Sequence, residues 1–139
     1  AALIELSRPL NVTFHRAFDM TRDLSEALET LVELGVERVL TSGGEPTVWD
    51  GVEVIERLVQ QAGDRIIILP GGGIHERNVE KIVKTTRVQE VHVSASHFVT
   101  SDMNYQNSHC FMGKALRPPE YGRSIASEQR LNFYRKTLN

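Results

Sequence analysis

Apolar residues follow two alternating rhythms along this chain. Short aliphatic runs, near 11–18, 36–42, 65–70 and 89–95, are each followed by a stretch with a different spacing. Leu24, Ala27, Leu28, Leu31 and Val32 repeat at three- and four-residue intervals, the stripe of an amphipathic helix, and Gly35 stands where a helix of that length ends. Val52, Ile55, Leu58 and Val59 form a second such stripe, closed by Gly63, and Val79, Ile82 and Val83 a third. Strands alternating with helices predict βαβ units, a parallel sheet and right-handed crossovers.

The pattern changes after Ser96. Residues 97–121 are polar, contain Pro118-Pro119 and keep no period, which predicts a long connection. A final helix is expected over 125–138, with Ser124 as its N-cap and Leu131, Tyr134 and Leu138 on one face.

Within the strands, polar and apolar positions alternate. Val12 and Phe14 share a face opposite Thr13 and His15; Val91 and Val93 share one opposite Glu90, His92 and Ser94. A doubly wound sheet covers both faces with helices and wants both apolar. A (β/α) barrel covers only its outer face, and its polar strand ends carry the chemistry. The expected fold is therefore α/β, with parallel (β/α) units of a TIM-type barrel, four strands in order and helices on the outer face. His15, Thr41, His92 and Ser94 should face the concave side, with Val12, Phe14, Leu40, Val91 and Val93 under the helices. Gly71 to Gly73 should lie at the same end of the sheet as Asp19 and Ser42.

At 139 residues the chain falls in the single-domain range, and one domain over 1–139 is expected. A net charge of −2 and a pI near 6.2 give no general attraction for nucleic acid or an anionic membrane. No apolar run approaches the roughly 20 residues of a membrane span. The opening Ala1-Ala2-Leu3-Ile4-Glu5-Leu6 reads as helix rather than as a signal peptide. A lone cysteine, Cys110, points to a reducing compartment, with the cytoplasm as default.

The candidate chemistry is concentrated at the strand ends. Leu69 runs into Pro70-Gly71-Gly72-Gly73, a strand that stops at a proline and a turn where other groups can approach the backbone closely. Gly71, Gly72 and Gly73, with Ser94 and Ser96, are anion-binding candidates, and a tight connection without ligand is the plainer alternative. His15, Arg16 and Asp19 close the first strand. A His can move protons near neutral pH, an Arg can clamp an anionic oxygen, and an Asp can orient either. The same Arg16 and Asp19 could equally form a structural ion pair. Soft metal donors are few: His109, Cys110 and Met112 form the one compact group, and their segment needs an irregular turn to direct neighbouring side chains at one ion.

Three motifs carry a family resemblance. Thr13-Phe14-His15-Arg16-Ala17-Phe18-Asp19, Gly35-Val36-Glu37-Arg38-Val39-Leu40-Thr41-Ser42-Gly43 and Pro70-Gly71-Gly72-Gly73-Ile74 resemble the CutC family of copper-homeostasis proteins, in order and spacing. Val91-His92-Val93-Ser94 and Met112-Gly113 are similar to the same family's C-terminal portion. The resemblance implies the C-terminal half of a (β/α) barrel and a cytosolic role in copper binding or handling, with Cu(I) as the associated ion. It is also compatible with a homo-oligomer, for which Trp49 and Tyr121 are plausible interface anchors. The alternative is a barrel enzyme acting on a small phosphorylated or carboxylated metabolite.

Overall fold

The computed structural model describes residues 2–112 and 120–138. A short helix, α1 (Ala2–Ser7), precedes β1 (Thr13–Phe14), which passes through a 3-10 turn at Arg16–Met20 into α2 (Leu24–Glu33). Two further units follow, β2 (Arg38–Thr41) with α3 (Val52–Ala62) and β3 (Ile67–Pro70) with α4 (Val79–Thr86). The strands pair parallel in the order β1-β2-β3, with Thr13 beside Arg38 and Arg38 beside Ile67. α2 packs on α3 and α3 on α4, so the three helices form one layer on one face.

Local chemistry sets these elements. The Asp23 carboxylate caps α2 by accepting from the amides of Ser25 and Glu26, at 2.9 and 3.0 Å. Gly35 then leaves the helix at φ 71°, a conformation that favours glycine. The helix stripes bury Leu28, Ile55, Val79 and Ile82 against Val39 and Ile68 of the sheet, and Phe18 and Val48 plug its C-terminal end.

Alternation holds at both margins of the sheet. Thr13, His15, His92 and Ser94 are exposed on the side without helices, and Phe14, Val91 and Val93 pack against the core. β2 inverts the expectation. Val39 and Thr41 are fully buried, while Arg38 and Leu40 take the open face. Thr41 turns toward the helix layer because its hydroxyl finds a carboxylate there, that of Asp19.

The strand boundaries also tighten. The run 11–18 keeps only two strand residues, because the His15 ring accepts from the Ala17 amide and starts the 3-10 turn. The run 89–95 contributes one parallel bridge, Gly71 to His92. Below that bridge a cleft of about 170 Å³, lined by Ile66, Ile67, Ile68, Val88 and Gln89, separates the fourth run from β3. Arg38 and Glu90 span the gap on the open face with two hydrogen bonds, at 2.7 and 2.9 Å.

The segment expected as a long connection carries β4 (Ser96–Thr100), which pairs antiparallel with β5 (Gly122–Ala126). Pro118-Pro119 lies outside the described residues. Ser124 belongs to β5, and Ser127 takes its expected capping role, its hydroxyl accepting from the Arg130 amide at the start of α5 (Glu128–Leu138). Of the expected apolar face of α5, Tyr134 alone is buried; Leu131 and Leu138 remain exposed. Arg130 fastens α5 to the body: it donates to both Glu76 oxygens and to the Ser96 carbonyl.

Hydrogen bonds from Arg130 hold the Glu76 carboxyl down to about 2, against an ordinary 4.5. A depressed carboxylate contributes its stability above the ordinary value and loses it as pH falls through the folded one. The α5 clasp should therefore weaken between about pH 4.5 and pH 2. Carboxyl ¹³C titration checks this: Arg130→Ala should return Glu76 to the ordinary carboxylate range and flatten the acid branch of the stability curve.

Candidate functional site

Every parallel strand delivers its C-terminal end to one rim, and a single carboxylate gathers two of them. Asp19, in the 3-10 turn after β1, has a side chain only 6% exposed. Its Oδ1 accepts from the Thr41 hydroxyl and from the amides of Ser42 and Gly44, at 3.1 and 3.0 Å. Its Oδ2 accepts from the Arg16 Nε at 2.7 Å and from the Ser42 hydroxyl at 3.0 Å. Burial alone would raise this carboxyl, but the bonds from Thr41, Arg16, Gly44 and Ser42 outweigh it and hold the group below its ordinary 3.8.

Arg16 extends the network to the third strand. Its Nη2 donates to the Ser42 hydroxyl and, at 3.1 Å, to the Glu45 carbonyl. Its Nη1 lies against Gly72, where an added Cβ would come within 2.9 Å. The three glycines each admit a different group of this chain: Leu40 and His92 at Gly71, Arg16 at Gly72, Thr47 at Gly73. Gly72 and Gly73 sit at φ 122° and 75°, and the Gly72 carbonyl accepts from the Val48 amide at 2.9 Å. Asn78, buried at the start of α4, donates to the Gly73 carbonyl and accepts from the His75 amide. The glycine turn is thus a junction where the β2 loop and the α4 entry meet.

Arg16, Asp19, Ser42 and Gly71 to Gly73 do converge at one end of the sheet. His15 stands beside them but is exposed, its Nδ1 engaged by the Ala17 amide. Ser94 is exposed on the open face, and Ser96 belongs to the β4 ladder with its carbonyl taken by Arg130. At the rim Arg16 and Asp19 form an ion pair at 2.7 Å.

The sulfur group is carried by a different segment, after β4. The Asn107 side chain accepts from the amides of His109 and Cys110, at 2.9 and 3.3 Å, and turns the segment there. Cys110 Sγ then stands 3.9 Å from Met112 Sδ, both exposed. Among the described residues no three His, Cys, Asp or Glu side chains gather as a metal cluster. The sequence reading missed Asn78, Glu76, Arg130 and the Arg38–Glu90 pair. Arg38 and Glu90 carried a signal, charges within otherwise apolar strand runs; the Glu76–Arg130 contact carried none, because 54 positions separate its partners.

Parallel βα units, helices on one face and polar strand ends at one rim define a partial (β/α) barrel. The chain belongs to the CutC family: the model of that family matches residues 1–97. It is 44% identical over 138 residues to a copper homeostasis protein cutC homolog of Homo sapiens, covering 99% of this chain and 49% of that protein. A family protein CutC from Bacteroides thetaiotaomicron is 43% identical over 129 residues, 93% of this chain and 52% of its own length. The crystal structure of CutC from Streptococcus agalactiae superposes with a TM-score of 0.61 at 32% identity, covering 66% of this chain and 45% of that one. The chain spans about half the length of the curated relatives it matches.

Asp19→Ala leaves the buried Thr41 hydroxyl and Ser42 amide without their acceptor. It should cost about 2–6 kcal/mol, at roughly 1–3 kcal/mol per buried group left unsatisfied. Urea unfolding measures the loss. Arg16→Ala should cost less, because that side chain is 40% exposed.

Proposed function

We propose that this chain serves copper homeostasis by holding Cu(I) through Cys110 and Met112. The observation that supports this reading is the 3.9 Å separation of their sulfurs. Cu(I) favours thiolate and thioether donors, and the pair supplies one of each. Metal–sulfur bonds of about 2.3 Å reach a shared ion across that distance. The two donors are two residues apart, and the Asn107 turn immediately precedes them. His109 adjoins the pair as a nitrogen donor. The names of the relatives, copper homeostasis proteins, agree with a copper cargo.

Both sulfurs are exposed, so an ion held here is open to exchange with another carrier. That suits handling and transfer better than turnover. A thiol needed for Cu(I) must stay reduced, which fits the cytoplasm. No helix among the described residues is long and apolar enough to cross a membrane.

Anaerobic Cu(I) titration against a chromophoric chelator tests the proposal. Loss of one ligand should weaken binding at least as much as loss of an outer-shell partner, about 10–100-fold. Cys110→Ser and Met112→Leu should each reach that range, with thermal stability unchanged because both residues are exposed. Equal Cu(I) affinity in the wild type and the double variant would remove the basis for this site.

A further inference from the structure

The rim offers donors to solvent that the chain itself does not use. A guanidinium has five N–H bonds to give. In Arg16, Nε gives one to Asp19, and Nη2 gives to the Ser42 hydroxyl and the Glu45 carbonyl. Nη1, which lies against Gly72, meets no acceptor among the described residues. The ion pair is also unequal in exposure: the Arg16 side chain is 40% exposed and that of Asp19 6%. An arriving solute meets the cationic edge of the pair. The carboxylate lies behind it, its oxygens already taken by Thr41, Ser42 and Gly44.

The glycine turn adds backbone donors beside that edge. Its carbonyls are engaged within the chain: that of Gly72 accepts from the Val48 amide and that of Gly73 from the Asn78 side chain, both at 2.9 Å. In a trans peptide the N–H points opposite to the C=O. The amides of Gly73 and Ile74 are therefore directed away from Val48 and Asn78, and neither meets an acceptor among the described residues. The Gly72 amide differs, because Gly71 bridges to His92 there. Backbone donors left without a protein partner are completed by water or by a ligand. Two nearby carboxylates are occupied elsewhere, Asp50 by the Thr47 hydroxyl and Glu76 by Arg130, and Glu45 is exposed.

We propose that Arg16 Nη1 and the amides of Gly73 and Ile74 form a site for a phosphate group, free or carried on a small metabolite. A guanidinium edge matches phosphate geometry and binds it by charge-assisted hydrogen bonds. Successive amides of a glycine turn complement the remaining oxygens. Asp19 positions the guanidinium without competing for the ligand, because its Oδ2 holds Nε and leaves Nη1 free. Glycine at position 72 keeps the place open, since a Cβ there would come within 2.9 Å of Nη1. The site uses none of the residues of the sulfur pair, so it stands whether or not Cys110 and Met112 hold copper.

The test is a ¹⁵N NMR titration of the full chain near neutral pH, with inorganic phosphate and glycerol phosphate as probes and chloride balancing the ionic strength. The Gly73 and Ile74 amides and the Arg16 side chain should shift together and saturate with one Kd. Tighter binding of glycerol phosphate points to a phosphorylated metabolite, and equal affinities to the free ion; either supports the site. Arg16→Gln should weaken binding by about 10-fold or more, the effect of losing a hydrogen bond to a charged group. Arg65→Gln, at the opposite end of β3, should leave the affinity unchanged. If Arg16→Gln does not fold, the wild-type shift map decides alone. Shifts that grow linearly without saturating, saturation at other amides, or wild-type affinity in a folded Arg16→Gln would overturn the proposal.

Discussion

The rim of this half-barrel depends on one buried carboxylate. Parallel strands are joined along their lengths by the ladder, but their C-terminal ends diverge into loops that the ladder does not hold. Asp19 accepts from β2 and the loop after it, and through Arg16 it reaches the glycine turn after β3. Two hydroxyls, two amides and a guanidinium converge on one group, so the loss of its charge would loosen three strand ends together. The burial of Thr41, the inversion of β2 and the close packing at Gly72 all follow from satisfying that carboxylate.

The open face shows the opposite economy. Thr13, His15, His92 and Ser94 are exposed there, and the Arg38–Glu90 ion pair spans it above the cleft beside β3. That pair keeps the fourth run near the sheet where the ladder has shrunk to a single bridge at His92. Hydrogen bonds at the rim and an ion pair on the open face thus do the work that backbone pairing does in the middle of the sheet. The sulfur pair is carried by another segment, whose local turn rests on Asn107.

Much of this was legible in the sequence, and the misses have physical reasons. The helix stripes of Leu28, Ile55 and Ile82 repeat at a local period, so burial in the folded chain follows the sequence directly. The alternation around His15 and His92 is likewise local and placed both on the uncovered side. Thr41 went the other way because a hydrogen bond to Asp19, 22 positions distant, outweighed the preference of a polar residue for the open face. β4 and β5 were read as connection and helix start since each is short, nearly without period, and is made a strand only by the other. The Glu76–Arg130 clasp is a long-range pair of ordinary surface residues and left no local mark. At the candidate site, the convergence of Arg16, Asp19 and the glycines was readable from their positions at strand ends. That Arg16 pairs with Asp19 and lies against Gly72 depended on distances that the sequence does not contain. Cys110 and Met112 were legible as donors, but the 3.9 Å approach of their sulfurs was not.

The central claim is that hydrogen bonding, not burial, governs Asp19. A carboxyl ¹³C titration of that residue tests it most directly, because the two influences act in opposite directions on the same group. If the rim is tied as described, Asp19 titrates below its ordinary 3.8 and the Ser42 and Gly44 amide shifts follow the same midpoint. A midpoint at or above 3.8, with those amides indifferent to it, would contradict the account.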